Sequence, residues 1–333
     1  MPKPRSSLLR WLPAILVLLL MGFLASRFVE WSRFPELLER ARPAWLLAAL
    51  GLQGLKYFVA AGALQRSMTA AGFPVPVPPL VPVILAKLFT DQVTPASGVG
   101  GTLVAGRALR NRGLSRGDAT AALVVNTLAY YAASATAALV AVAILWERRG
   151  FHPAITVVVS LFAIYAVGMP TLILWAYHHP PRRLPRWLSK VPGVEEALKW
   201  FREAPNEPLR HRLLLGEAAL FQLAVIALDA MTLMLLVGSL GQAMNYPAAF
   251  SAFVLGTMAG TVTLLPAGIG TFEAGTVGTL RYLGTPLEAA IAAVILFRGF
   301  TLYLPLLPGS WIARNTMNEE GDRAPAPERV PPR

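Results

Sequence analysis

The sequence predicts an all-α, polytopic helical membrane protein with about six full spans plus two inverted re-entrant helical hairpins. Three observations carry this reading. Of the 333 residues, 55% are hydrophobic and 14% charged, whereas a soluble domain carries about 25% charged residues. With a mean hydropathy of +0.53, such a chain needs lipid to solvate part of its surface. Six apolar stretches are long enough, at about 1.5 Å per residue, to cross about 30 Å of hydrocarbon. Two further apolar regions are broken near their middles by Pro and Gly.

In chain order, the first span, Leu12 to Phe28, follows a basic leader carrying Lys3, Arg5 and Arg10. That shape also fits a signal peptide. Because Arg27 and Phe28 stand where a small-residue cleavage site belongs, it reads as an uncleaved helix. The other full spans are Trp45 to Leu64, Ala119 to Leu145, Ile155 to Tyr177, Leu213 to Leu240 and Leu287 to Ile312. The first broken region, Leu80 to Leu109, is interrupted from Thr94 to Gly101, and the second, Phe250 to Leu283, from Leu265 to Gly270. Residues 1–312 thus read as one transmembrane domain, with repeats around 80–145 and 250–312. Residues 313–333 read as a disordered cytoplasmic tail, with four Pro among them.

A formal charge of +12 could suggest nucleic acid, but the charges sit in short runs between apolar segments, so no nucleic-acid partner is expected. Orientation follows from the same charges. With six spans, both termini cytoplasmic, and each broken region returning to its own side, Arg107, Arg110, Arg112 and Arg116 fall inside. So does the segment from His178 to Arg212, with its eight Lys or Arg. The outer loop Gly241 to Pro247 carries no charge. If the first broken region crossed fully, the eight-charge loop would lie outside, against the positive-inside bias.

The two broken regions also match each other. Gly98-Val99-Gly100 lies against Gly268-Ile269-Gly270, Ala108-Leu109-Arg110 against Thr279-Leu280-Arg281, and Gly113 against Gly284. Paired Gly/Pro-interrupted segments of opposite orientation point to a transporter's binding site. Unwound backbone at membrane depth needs protein or a wet cavity to satisfy it. The half-helix N-termini there would present free N–H groups suited to a phosphate. The residues expected at the site are Pro95, Gly98, Gly100, Gly101, Pro266, Gly268 and Gly270 at the turns, with Arg107, Glu273 and Arg298 beside them.

Charges inside apolar segments are costly and usually face a partner or a cavity. Glu273 and Arg298 are expected to approach each other or share a polar cavity, as a lipid-binding or a purely structural pair. Lys87 and Asp91, at i and i+4, predict a helical ion pair. Asp229 and Asp91 are the positions considered for ion coupling, although Asp229 reads equally well as a satisfied buried carboxylate. Lys56 is expected to be functional or paired, with no partner named. The arginines near the first turn collect anionic headgroups or simply anchor the inner face; Arg107, nearest the turn, is the one favoured for lipid. The His178 to Arg212 segment reads as an interfacial amphipathic helix rather than a binding site.

With no Cys and four His, neither a thiolate nucleophile nor a Cys-metal site is available. No catalytic triad, metal motif or P-loop is visible, so no enzyme activity, cofactor or metal is expected.

Pro95-Ala96-Ser97-Gly98-Val99-Gly100-Gly101, followed by Arg107 and Gly113, resembles the first-half motif of the lysylphosphatidylglycerol synthase transmembrane (flippase-like) family. Leu265-Pro266-Ala267-Gly268-Ile269-Gly270-Thr271-Phe272-Glu273, followed by Gly284 and Arg298, resembles its second-half motif. The resemblance runs from about Trp11 to Ile312. It implies a protein of the cell inner membrane associated with movement of an anionic phospholipid or a polyprenyl- or hopanoid-type lipid between leaflets. Where the family often has a Glu after the first Gly pair, this chain has Thr102, and a Glu-Arg pair common in the next helix is matched by Asn126-Thr127. Without the soluble synthase domain of the two-domain members, lipid aminoacylation is not expected. The alternative is a non-transporting accessory that scaffolds a lipid-modifying or glycosyl-transfer membrane enzyme.

Overall fold

The structure is a computed structural model that describes residues 42–93, 99–149, 153–178, 211–262, 268–305 and 308–309. The first predicted span, the turn residues Pro95, Gly98 and Pro266, most of the eight-charge segment and the tail 313–333 lie outside them. Nine α-helices are seen among the described residues: α1 (Pro43–Ala70), α2 (Val81–Val93), α3 (Val99–Arg110), α4 (Arg116–Arg149), α5 (Pro153–His178), α6 (Arg212–Ser239), α7 (Tyr246–Val262), α8 (Thr271–Tyr282) and α9 (Leu287–Arg298).

Local sequence sets these limits. Pro43 opens α1 at a position where its missing N–H costs nothing. The Ser115 hydroxyl accepts from the Asp118 N–H and donates to the Asp118 carboxylate, capping α4. At α7 the Asn245 carboxamide oxygen accepts the Ala248 N–H. Helices α1, α4, α5 and α6 are long and apolar enough to cross a bilayer, and they coincide with four of the predicted spans. Helix α5 is the peripheral one: Ile164 and Val167 are each 70% exposed, as suits lipid contact.

The last predicted span, Leu287 to Ile312, is not a single α-helix. After Arg298, α9 passes into a π-helical turn, Gly299–Tyr303. Pro305 and Pro308 follow, and neither can donate a backbone hydrogen bond. That removes the α-helical partners of the carbonyls one turn earlier and favours a wider turn.

Each broken region is a pair of short antiparallel helices. Asp91 meets Gly101, and the Arg112 guanidinium donates to the Pro79 carbonyl at the other end of α2 and α3. In the second pair Gly260 lies against Gly268 and Phe272, and Gly256 against Gly275 and Thr276. Helices α2 and α3, of 13 and 12 residues, rise only about 20 Å and about 18 Å, short of the hydrocarbon thickness.

The same order of elements occurs twice: a long helix, a short antiparallel pair, then a further helix. Helices α3 and α8 both have 12 residues and end in the same turn. The Leu114 N–H donates to the Leu109 carbonyl and the Gly113 N–H to Arg110; 171 positions on, Thr285 donates to Leu280 and Gly284 to Arg281. Gly113 and Gly284, at φ 97° and 102°, occupy the left-handed position this helix ending requires. Helices α1 and α6, which precede the two pairs, run antiparallel. Arg42 reaches Ser239, Lys56 reaches Asp229 and Arg66 reaches Glu217.

Candidate functional site

A cavity of about 690 Å³ lies between the two helix pairs, bounded by α1, α4, α5, α6 and α9. Phe162, Val225 and Phe253 are among its apolar lining residues, and Lys56, Lys87, Asp91, Asp229 and Arg298 are its charged ones among the described residues.

The first ion pair is Glu273 with Arg298. In the second turn, Gly270 at φ 84° caps α8, and its N–H donates to Glu273 Oε2 at 2.6 Å. Arg298 Nε, from the end of α9, donates to Glu273 Oε1 at 2.6 Å. The guanidinium also lies 4.2 Å above the Phe272 ring, and that ring stacks on Phe297. One carboxylate thus spans a helix N-terminus and a cation that is itself held on an aromatic face.

The second pair is Lys87 with Asp91, 2.6 Å apart on α2 at the predicted i, i+4 spacing. Asp91 Oδ1 also accepts the Gly101 N–H at 3.0 Å, in the first turn of α3. Gly101 has to be glycine here, because a Cβ would overlap the Asp91 carboxylate and the Lys87 carbonyl. The two helix pairs therefore share a device built from different positions: a carboxylate neutralises the N-terminus of the inner helix, and a cation neutralises the carboxylate. From sequence, these N-termini are expected to offer free N–H groups to a phosphate. Instead, an acidic side chain of the protein takes the Gly101 and Gly270 N–H groups.

The third pair joins α1 to α6. Lys56 Nζ lies 2.9 Å from Asp229 Oδ1, with side chains 9% and 13% exposed. Gln53 Nε2 donates to both Asp229 and Thr232. Asp229 is therefore a partnered carboxylate.

Of the expected site residues, Asp91, Asp229, Gly268 and Arg298 line the cavity, while Glu273 reaches it through Arg298 and Gly101 through Asp91. Gly100 lies in the first turn of α3. Arg107 is not among the described lining residues. At 100° per residue it is rotated about 140° from Thr102, which does face the cavity.

Several lining residues were not singled out from sequence. Tyr130, Tyr131 and Ser134 face the cavity beside Asn126 and Thr127. The Tyr131 and Tyr165 hydroxyls are 3.0 Å apart, and Gln222 donates to Asn126 at 3.2 Å. Their signal was legible: Asn126, Tyr130 and Ser134 repeat every four residues, a polar stripe on an Ala-rich helix.

Long apolar helices around paired short helices, with ion pairs gathered at a shared cavity, define a polytopic helical membrane protein built around a chamber of mixed charged and apolar lining. The family model described as Lysylphosphatidylglycerol synthase TM region matches residues 11–309, and the chain belongs to this family. Membership makes it a membrane protein of lipid-related function. A search of curated proteins finds no match.

Proposed function

We propose that the protein is a lipid carrier that moves a polar-headed phospholipid or a polyprenyl- or hopanoid-type lipid between leaflets of the inner membrane. The observation that carries this reading is the chamber itself. Both short-helix pairs contribute to it, and charged and apolar side chains share its lining. A head can lie among the ion pairs while the tails remain in hydrocarbon. In this reading the two pairs are inverted re-entrant hairpins entering from opposite faces, which the antiparallel course of α1 and α6 supports. The protein acts as a carrier, not an enzyme, with both termini cytoplasmic.

Purified protein in liposomes is expected to equilibrate an acyl-labelled lipid across the bilayer, read by chemical quenching of the outer leaflet. Glu273→Gln or Arg298→Ala should slow this about tenfold, the equivalent of about 1.4 kcal/mol at the barrier. If wild-type protein moves no lipid but co-purifies with a membrane enzyme, the carrier reading fails and a scaffold role replaces it.

The inverted arrangement has its own test. Because the chain has no Cys, each introduced thiol is unique. Arg116→Cys should be labelled only from the cytoplasmic face and Ala243→Cys only from the opposite face. Labelling of both from one side removes the inversion.

A further inference from the structure

We propose that the chamber selects a lipid head with no net charge, specifically a zwitterionic phosphate–ammonium head, and disfavours a net-anionic one. This rests on the carrier reading and narrows it to the phospholipid among the lipids considered there, with a zwitterionic head in place of the anionic one that the family resemblance implies.

The argument starts from charge balance. Among the described residues, the cations lining the cavity are Lys56, Lys87 and Arg298. Each is matched by one carboxylate, at 2.9, 2.6 and 2.6 Å respectively. Nothing in this set is left over to balance an added negative charge. The usual anion sites of such a fold are its positive helix ends. Here Asp91 accepts the Gly101 N–H and Glu273 accepts the Gly270 N–H, so each helix end already faces a carboxylate whose charge opposes that of an incoming phosphate.

A net-anionic head would have to enter an electrically balanced space or expel one of these carboxylates from both its helix end and its cation. Either route is unfavourable for a charge that arrives without a counter-ion. A zwitterion brings its own. Its phosphate can accept from the lysine ammoniums, each of which carries three donors. Its ammonium can face a carboxylate and the rings of Tyr130, Tyr131 and Tyr165, whose faces attract cations. The sum of charges stays zero throughout.

The repeat shows where selectivity was set. With the 171-residue offset of the matching helix ends, Thr102 is the counterpart of Glu273 and Thr127 that of Arg298. Both threonines line the cavity, so uncharged hydroxyls occupy the first-half positions that carry an ion pair in the second half.

Three acyl-labelled probes decide the matter in vesicles of one fixed composition: phosphatidylcholine, phosphatidylethanolamine and phosphatidylglycerol. The two zwitterionic probes are expected to cross at least about fivefold faster than phosphatidylglycerol, the equivalent of about 1 kcal/mol. Asp91→Asn, which leaves Lys87 without its carboxylate, should shift the ratio toward phosphatidylglycerol. Thr127→Lys adds the same charge without disturbing a helix end and should shift it the same way. Phosphatidylglycerol crossing as fast as the others, or a ratio unmoved in Thr127→Lys, overturns the proposal. Native mass spectrometry of detergent-purified protein with the same three lipids separates the two layers. If nothing crosses but the zwitterions bind preferentially, the carrier reading fails and charge selection stands. Equal binding, or preferential binding of phosphatidylglycerol, overturns charge selection.

Discussion

Lys56→Met is expected to destabilise the protein by about 3 kcal/mol, and Lys56→Met combined with Asp229→Leu to recover most of that loss. Lys56 is 8% exposed and is buried on α1 against α6. Its ammonium is the cation paired with Asp229. Removing it leaves a largely buried carboxylate supported by the Gln53 amide alone among the contacts seen. Stranding one member of a buried pair costs about 3–5 kcal/mol; the lower figure applies because both residues border the chamber. Replacing both members with apolar groups removes the stranded charge, and such replacements are often close to neutral. Thermal unfolding of the four proteins of the double-mutant cycle in one detergent yields the coupling directly. A single variant as stable as wild type, or a double variant no better than the single, would show that the pair does not tie α1 to α6.

Which of these features could be read in advance depended on how far apart the interacting residues lie. Hydropathy is a local property, and the spans from Trp45, Ala119, Ile155 and Leu213 match α1, α4, α5 and α6 to within a few residues, apart from the last turns of α1. Lys87 and Asp91 are one helical turn apart, so the periodicity alone joins them. Glu273 and Arg298 are lone charges in apolar segments, one just after the second Gly turn and one within the last span, and the cost of burying each predicts that they meet or share a cavity. Lys56 and Asp229 obey the same physics across 173 residues, but with several lone charges available, burial cost alone does not choose the partner. The end of α9 was missed for a different reason: its hydropathy runs through Pro305 unbroken, while its backbone hydrogen bonds do not. The helix N-termini were read as anion sites because a carboxylate brought in by folding, such as Asp91 on Gly101, has no local signature.

The close seam between α7 and α8 rests on the Gly256-x-x-x-Gly260 spacing, which lets membrane helices touch along their backbones. Gly256→Leu is expected to cost at least about 3 kcal/mol, the upper range for overpacking, and to abolish lipid movement. A Cβ at Gly256 would overlap the Thr276 hydroxyl and stand 3.0 Å from the Phe272 carbonyl, while a Cβ on Gly275 would lie 3.1 Å from the Gly256 Cα. No rotamer of leucine avoids the first atom of its own side chain, so α8 must move away from α7. That movement carries Phe272 out of its contacts with Phe253 and Phe297, and Phe272 is the platform under Arg298. Glu273, the next residue, would lose its register with Arg298. The damage therefore reaches the chamber through packing, without altering any charged group. Gly51→Leu is the matched control. It makes the same chemical change on exposed helix surface with nothing among the described residues within 4 Å, where leaving glycine raises helix propensity by up to about 1 kcal/mol. Thermal midpoints of the two variants should differ widely, with Gly51→Leu at or above wild type. Equal midpoints would mean that α7 and α8 are not in backbone contact, and the second half of the chamber would have to be redrawn.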